Sequence, residues 1–122
     1  MAHILVIDDD PVLRQVITLA LERAGHTVLR CENGKKAIEY LAHQHANLLL
    51  TDIIMPEMDG VETVRAARRL QPDLPILAIS GGGSFDPGDY LGIARAFGAT
   101  AVLAKPFRPA DLVALVASLL AA

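Results

Sequence analysis

The chain has 122 residues, of which 52% are hydrophobic and 20% charged, a balance that fits one globular domain spanning residues 1–122 and excludes a disordered chain. A formal net charge of −3 gives no electrostatic case for direct nucleic-acid binding by the domain as a whole. No apolar run is long enough to span a bilayer and the N-terminus lacks the layout of a signal peptide, so a cytoplasmic protein with no membrane partner is expected.

Short apolar runs alternate with segments of helical period along the whole chain. His3 to Ile7 (HILVI) is too short for a helix and rich in branched residues, so it reads as a buried strand. Asp10-Pro11 supplies an N-cap and a first-turn proline. The helix that follows gathers Val12, Val16 and Leu19 on one face, and Gly25 closes it. Thr27 to Cys31 is a second strand. Its cysteine, the only one in the chain, reads as a buried, inert thiol. Lys35 to His43 is a short helix with Ala37, Ile38 and Leu41 inward, and His43 and His45 read as solvated histidines at its end. Asn47 to Thr51 is a third strand. Val61 to Leu70 is a helix ended by Pro72 and Pro75, and its Arg65, Arg68 and Arg69 read as an exposed basic face. Ile76 to Ser80 is a fourth strand, followed by Gly81, Gly82 and Gly83. Asp86-Pro87 opens a fourth helix that Gly98 ends, Ala101 to Ala104 is a fifth strand, and Pro109 opens a last helix running to about Leu120.

Five βα units in sequence imply an α/β fold, a doubly wound parallel sheet with helices on both faces, because parallel neighbours need crossover connections. The flavodoxin-like strand order 2-1-3-4-5 is the expected topology for this (βα)5 chain. Ligands in such sheets bind beyond the carboxyl ends of the strands. Those ends hold Asp8-Asp9-Asp10, Asp52, Ser80 and Lys105. Carboxylates converging on one spot repel one another, and a hard divalent cation resolves the conflict. An all-oxygen site of this kind suits Mg²⁺. Lys105 adds a fixed positive charge and Ser80 a hydroxyl, which together describe a cradle for a tetrahedral oxyanion. A carboxylate can itself be the nucleophile, giving an aspartyl phosphate.

With VIDDDPVLR, LLLTDIIMPEMDG, ILAISGGG and VLAKPF in place, the chain resembles the receiver domain of two-component response regulators over essentially its whole length. The resemblance implies Asp52 as phosphoacceptor and metal ligand, Asp8 and Asp9 as the acidic pair serving Mg²⁺, and the main-chain carbonyl of Ile54 as a further ligand. It implies Ser80 as the switch hydroxyl and Lys105 as the lysine that pairs with phosphoryl oxygens. Pro56 and Gly60 match the turn after the acceptor, and Lys105-Pro106 matches a peptide bond that is usually cis in the family. The implied donor is a sensor histidine kinase or a histidine phosphotransfer protein. Phosphorylation would then switch the surface of the fourth helix, fifth strand and last helix toward a downstream protein target.

Departures from the family pattern carry consequences. Receivers commonly place an aromatic residue three positions before the lysine, where this chain has Val102, a stiff branched side chain. The stretch from Gly81 to Gly88 is long and glycine-rich, and reads either as a plain surface loop or as a flap over the site built on Gly81, Gly82 and Gly83. Ile54 and Gly82 stand where receivers often hold polar side chains that orient water, so slow self-dephosphorylation is expected. The last helix has Leu112, Leu115, Val116 and Leu119 for a buried face, yet Val113, Ala114, Ala117 and Ser118 leave its outer face almost without charge. That face reads as a partner or homodimer contact, or as tight internal packing.

A Mg²⁺-dependent phosphohydrolase with an aspartyl intermediate is the competing enzyme reading. It needs a carboxylate two residues beyond Asp52, where Ile54 stands, and a substrate cap for which the chain has little room. A flavodoxin-like cofactor binder would need a phosphate loop in place of Asp8-Asp9-Asp10, which repels phosphate without metal. The expected protein is thus a signalling module rather than an enzyme acting on a released substrate. Both a single-domain regulator and a receiver belonging to a longer protein fit the sequence.

Overall fold

The computed structural model describes residues 2–8, 10–52, 60–80 and 98–121, with the backbone alone at 60, 61 and 80. The elements are β1 (His3–Ile7), α1 (Pro11–Arg23), β2 (Thr27–Cys31), α2 (Gly34–His43), β3 (Leu48–Asp52), α3 (Gly60–Leu70), β4 (Ile76–Ser80), β5 (Ala101–Ala104) and α4 (Pro109–Ala121). The expected fourth helix falls outside the described residues, so α4 is the last helix of the sequence reading. All strands run parallel in one sheet of order β2-β1-β3-β4-β5, the expected flavodoxin-like arrangement.

Strand side chains alternate between faces, and this alternation divides the core in two. Leu5, Ile7, Leu49, Ile76 and Ala78 pack with Ala37 and Leu41 of α2 and Val64 and Ala67 of α3. Ile4, Val6, Leu48, Leu50, Leu77 and Ile79 pack with Ile17 and Leu21 of α1 and Leu112 and Val116 of α4. Burial on both faces is why these strands read as continuous apolar runs.

The helix ends follow their side-chain chemistry. Asp10 Oδ1 accepts from the N–H groups of Val12 and Leu13 at 3.0 and 3.4 Å, with Pro11 opening α1. At the other end Gly25 takes φ of 96°, its N–H donates to Glu22 O, and His26 N–H donates to Leu21 O. This is a Schellman closure, which favours glycine at the left-handed position. Asn33 caps α2, its Oδ1 accepting from Lys36 N–H at 3.0 Å.

The stripe of Val12, Val16 and Leu19 is real but faces the opposite way from a core stripe. These side chains are 72%, 42% and 47% exposed, while Ile17 and Leu21 fill the interior. Arg68 also departs from the expected basic face. Arg65 and Arg69 are exposed, but the Arg68 guanidinium turns inward to donate to Pro72 O (2.7 Å), Leu74 O (2.6 Å) and Gly98 O (2.6 Å). It thereby ties the end of α3 to the approaches of β4 and β5. Arg68→Met strips three carbonyls of a charged donor and is expected to cost about 2 kcal/mol in urea denaturation. An unchanged midpoint would show that water replaces it without loss.

Candidate functional site

The register of the sheet sets the site. Ile7 lies opposite Thr51, so Asp8 emerges beside Asp52 at the carboxyl ends of β1 and β3. Both residues also keep the parity of their strands' even-numbered positions, which puts them on the α1 and α4 side. Ser80 ends β4 opposite Ala104, and Lys105 follows directly from β5. The expected convergence is therefore present for three side chains. Lys105 Nζ lies 2.8 Å from Asp52 Oδ2 and 3.7 Å from Asp8 Oδ2.

Both carboxylates are buried, whereas the lysine side chain keeps 24% of its surface exposed. Burial pulls the Lys105 pKa down, but the hydrogen bond to Asp52 and the charges of Asp52 and Asp8 outweigh it. The net effect holds the ammonium above the ordinary lysine range. Among the described residues two carboxylates, Asp8 and Asp52, meet here. Asp8 Oδ1 also accepts from Asp10 N–H at 2.8 Å, and the Thr51 hydroxyl donates to the main-chain oxygen of Asp52 at 2.9 Å. Thr51 was missed in the sequence because a threonine inside a buried strand looks like any β-prone residue.

Lys105-Pro106 is cis, as the family resemblance implied. Gly60 is the first residue of α3. Asp9, Ile54, Pro56, Gly81, Gly82 and Gly83 lie outside the described residues. Val102 is partly buried on the face packed by α2 and α3. Burial raises the Cys31 thiol pKa, with Lys36 and Arg14 pulling against it, in keeping with an inert cysteine. His43 and His45 are exposed, as expected.

An apolar trough leads away from Lys105. A groove of about 370 Å³ is lined by residues including Val12, Leu13, Val16, Lys105, Phe107 and Pro109. It shares Val16 and Pro109 with a second groove of about 610 Å³ between α1 and α4, where Leu19, Ala20, Ala110 and Val113 continue the lining. The outward stripe of α1 and the nearly uncharged outer face of α4 are the two walls of this trough.

Parallel order 2-1-3-4-5 with carboxylates and a lysine at the strand ends defines a class of α/β switch domains. The chain belongs to the response regulator receiver domain family, whose model matches residues 4–117. It is 42% identical over 113 residues to the response regulator receiver protein CpdR of Brucella abortus (strain 2308), covering 93% of this chain and 92% of that protein. It is 34% identical over 115 residues to the DNA-binding transcriptional regulator NtrC of Azospirillum brasilense, covering 94% of this chain but only 23% of that protein. Among solved structures, the chemotaxis protein CheY4 of Vibrio cholerae superposes with a TM-score of 0.86 at 30% identity, covering 98% of each chain. The protein is thus a receiver domain of a two-component response regulator, a signalling module. Among the described residues no helix is long and apolar enough to cross a membrane.

Proposed function

We propose that Asp52 accepts a phosphoryl group from a phosphohistidine on a sensor kinase or phosphotransfer protein. The observation that carries this is the Lys105 ammonium set 2.8 Å from Asp52 Oδ2 at the end of the sheet. An Asp52 oxygen attacks phosphorus, the P–N bond to the donor imidazole breaks, and the imidazole leaves with its electron pair and takes a proton. Lys105 is placed to meet the new phosphoryl oxygens, and Ser80 is the hydroxyl proposed to move with them.

The donor set fits Mg²⁺. Asp8 and Asp52 bring two buried carboxylates to one spot beside Lys105 and offer hard oxygen ligands. Asp8, Asp9, Asp52 and the Ile54 carbonyl would hold the ion, with Pro56, Gly60 and Pro106 shaping the turns around it. When bound, Mg²⁺ would screen the charge of the incoming phosphoryl group from the carboxylates.

We assign the trough beside Lys105 to a helix of the phosphodonor, since it leads from an apolar wall of α1 and α4 to Lys105, the partner of Asp52. The surface around β5 and α4 is the one proposed for the downstream target, or for a homodimer through α4. The cytoplasm is the proposed location, shared with the donor. Direct nucleic-acid contact is not part of the proposal, given the formal net charge of −3.

Incubation with a small-molecule phosphodonor and Mg²⁺ tests the acceptor. The parent is expected to gain one phosphoryl group by intact mass and Asp52→Asn none; an unmodified parent would sink the reading. The same sample followed in time should lose the group slowly, because Ile54 and Gly82 lack side-chain acceptors. Loss within seconds would contradict that part alone.

A further inference from the structure

We infer that Arg14 is a positioning residue for the cation site, an inference that rests on the proposed role of Asp8 as a metal ligand. Three hydrogen bonds close a ring around that residue. Asp10 N–H donates to Asp8 Oδ1 at 2.8 Å, Arg14 N–H donates to Asp10 O at 2.9 Å, and Arg14 Nη1 donates to Asp8 O at 2.8 Å. The first bond sets the rotation of the Asp8 carboxylate. The third sets the plane of the peptide that leaves Asp8. Arg14 is half-buried in the second turn of α1, and Asp10 caps the same helix, so both bonds are referred to one rigid element.

Charge alone would argue against an arginine in this place. A guanidinium beside an acidic cluster repels a divalent cation and should weaken its binding. Yet Arg14 directs one N–H of its planar guanidinium to a neutral carbonyl, and this rigid, oriented donor holds geometry that a point charge would hold less well. The two effects oppose each other, and this opposition makes the role testable. If Arg14 acts by positioning, removing it weakens the ion's site despite relieving repulsion. If it acts by charge, removing it tightens the site.

The test is calorimetric titration of the full chain with Mg²⁺, with no phosphodonor present, for the parent, Arg14→Met and Arg14→Lys, with urea denaturation of each. Both variants are expected to bind Mg²⁺ about tenfold more weakly, the effect usual for groups that orient metal ligands. Unchanged or tighter binding by Arg14→Met would overturn the inference, even if that variant were less stable, since a purely structural role moves stability and leaves affinity alone. Should Arg14→Met fail to fold, Arg14→Lys decides: it keeps the charge, so parent-like affinity would leave only a charge or stability role. A parent that binds no Mg²⁺ would overturn the metal reading and the inference together, a pattern distinct from a binding parent with unaffected variants.

Discussion

Lys105→Met is expected to destabilise the protein by about 2–3 kcal/mol in metal-free buffer, and added Mg²⁺ is expected to return part of that loss. The substitution leaves Asp8 and Asp52 facing one another at the ends of adjacent strands with their shared ammonium gone. Breaking a fully buried ion pair costs about 3–5 kcal/mol, and the partial exposure of Lys105 places this case at or below the lower end. The pH dependence has a definite sign. A raised lysine pKa means the fold favours the protonated form. The stabilisation is therefore complete below the ordinary lysine value of about 10.4 and is lost as pH rises through the raised value. Urea denaturation with chelator and with Mg²⁺, at neutral and alkaline pH, measures both effects. Equal stability of parent and variant without metal would show that the ion pair contributes nothing.

Val16→Asp is expected to slow transfer from a phosphorylated histidine protein by about tenfold, while leaving modification by a small-molecule donor unchanged. Val16 lines both parts of the trough and is 42% exposed, so the change should alter folding by only about 0.5 kcal/mol. A carboxylate set into the contact face of a docked helix must be desolvated without a partner, and a tenfold loss corresponds to about 1.4 kcal/mol. Rates with the two donors, compared side by side, separate the outcomes. An equal loss with both would place the damage in the acceptor site, and no loss with either would remove the trough as a docking surface.

The strands were legible because a strand buried on both faces must be apolar throughout. β1, β2, β4 and β5 have the limits read from the sequence, and β3 is displaced by one residue, from Asn47–Thr51 to Leu48–Asp52. That residue matters, since Asp52 itself pairs with Ile79 and is held by the ladder. Asp8, Asp52 and Lys105 were legible as a cluster because parallel topology brings strand ends together whatever their separation in sequence. What stayed hidden was direction. Val12, Val16 and Leu19 lie at helical spacing, but periodicity finds a face without saying whether core or solvent lies beyond it. Arg14 and Arg68 escaped for a related reason. Long polar side chains that reach back to main-chain oxygens leave no pattern in the sequence, since their partners are carbonyls that every residue carries.

Lys105 has a mechanical consequence as well as an electrostatic one. It leaves β5, which among the described residues has a ladder on one side only, and reaches past the end of β4 to grip β3. Two strand spacings, roughly 10 Å, are bridged by one flexible arm. This strand is thus tethered at its end to the residue proposed to change charge. Any shift in the pull of Asp52 loads or unloads β5 along its backbone, and amide exchange at Val102 to Ala104 should follow that load. A receiver with no ring at position 102 to rotate still has, in this tether, a path by which tension at Asp52 reaches its outer edge.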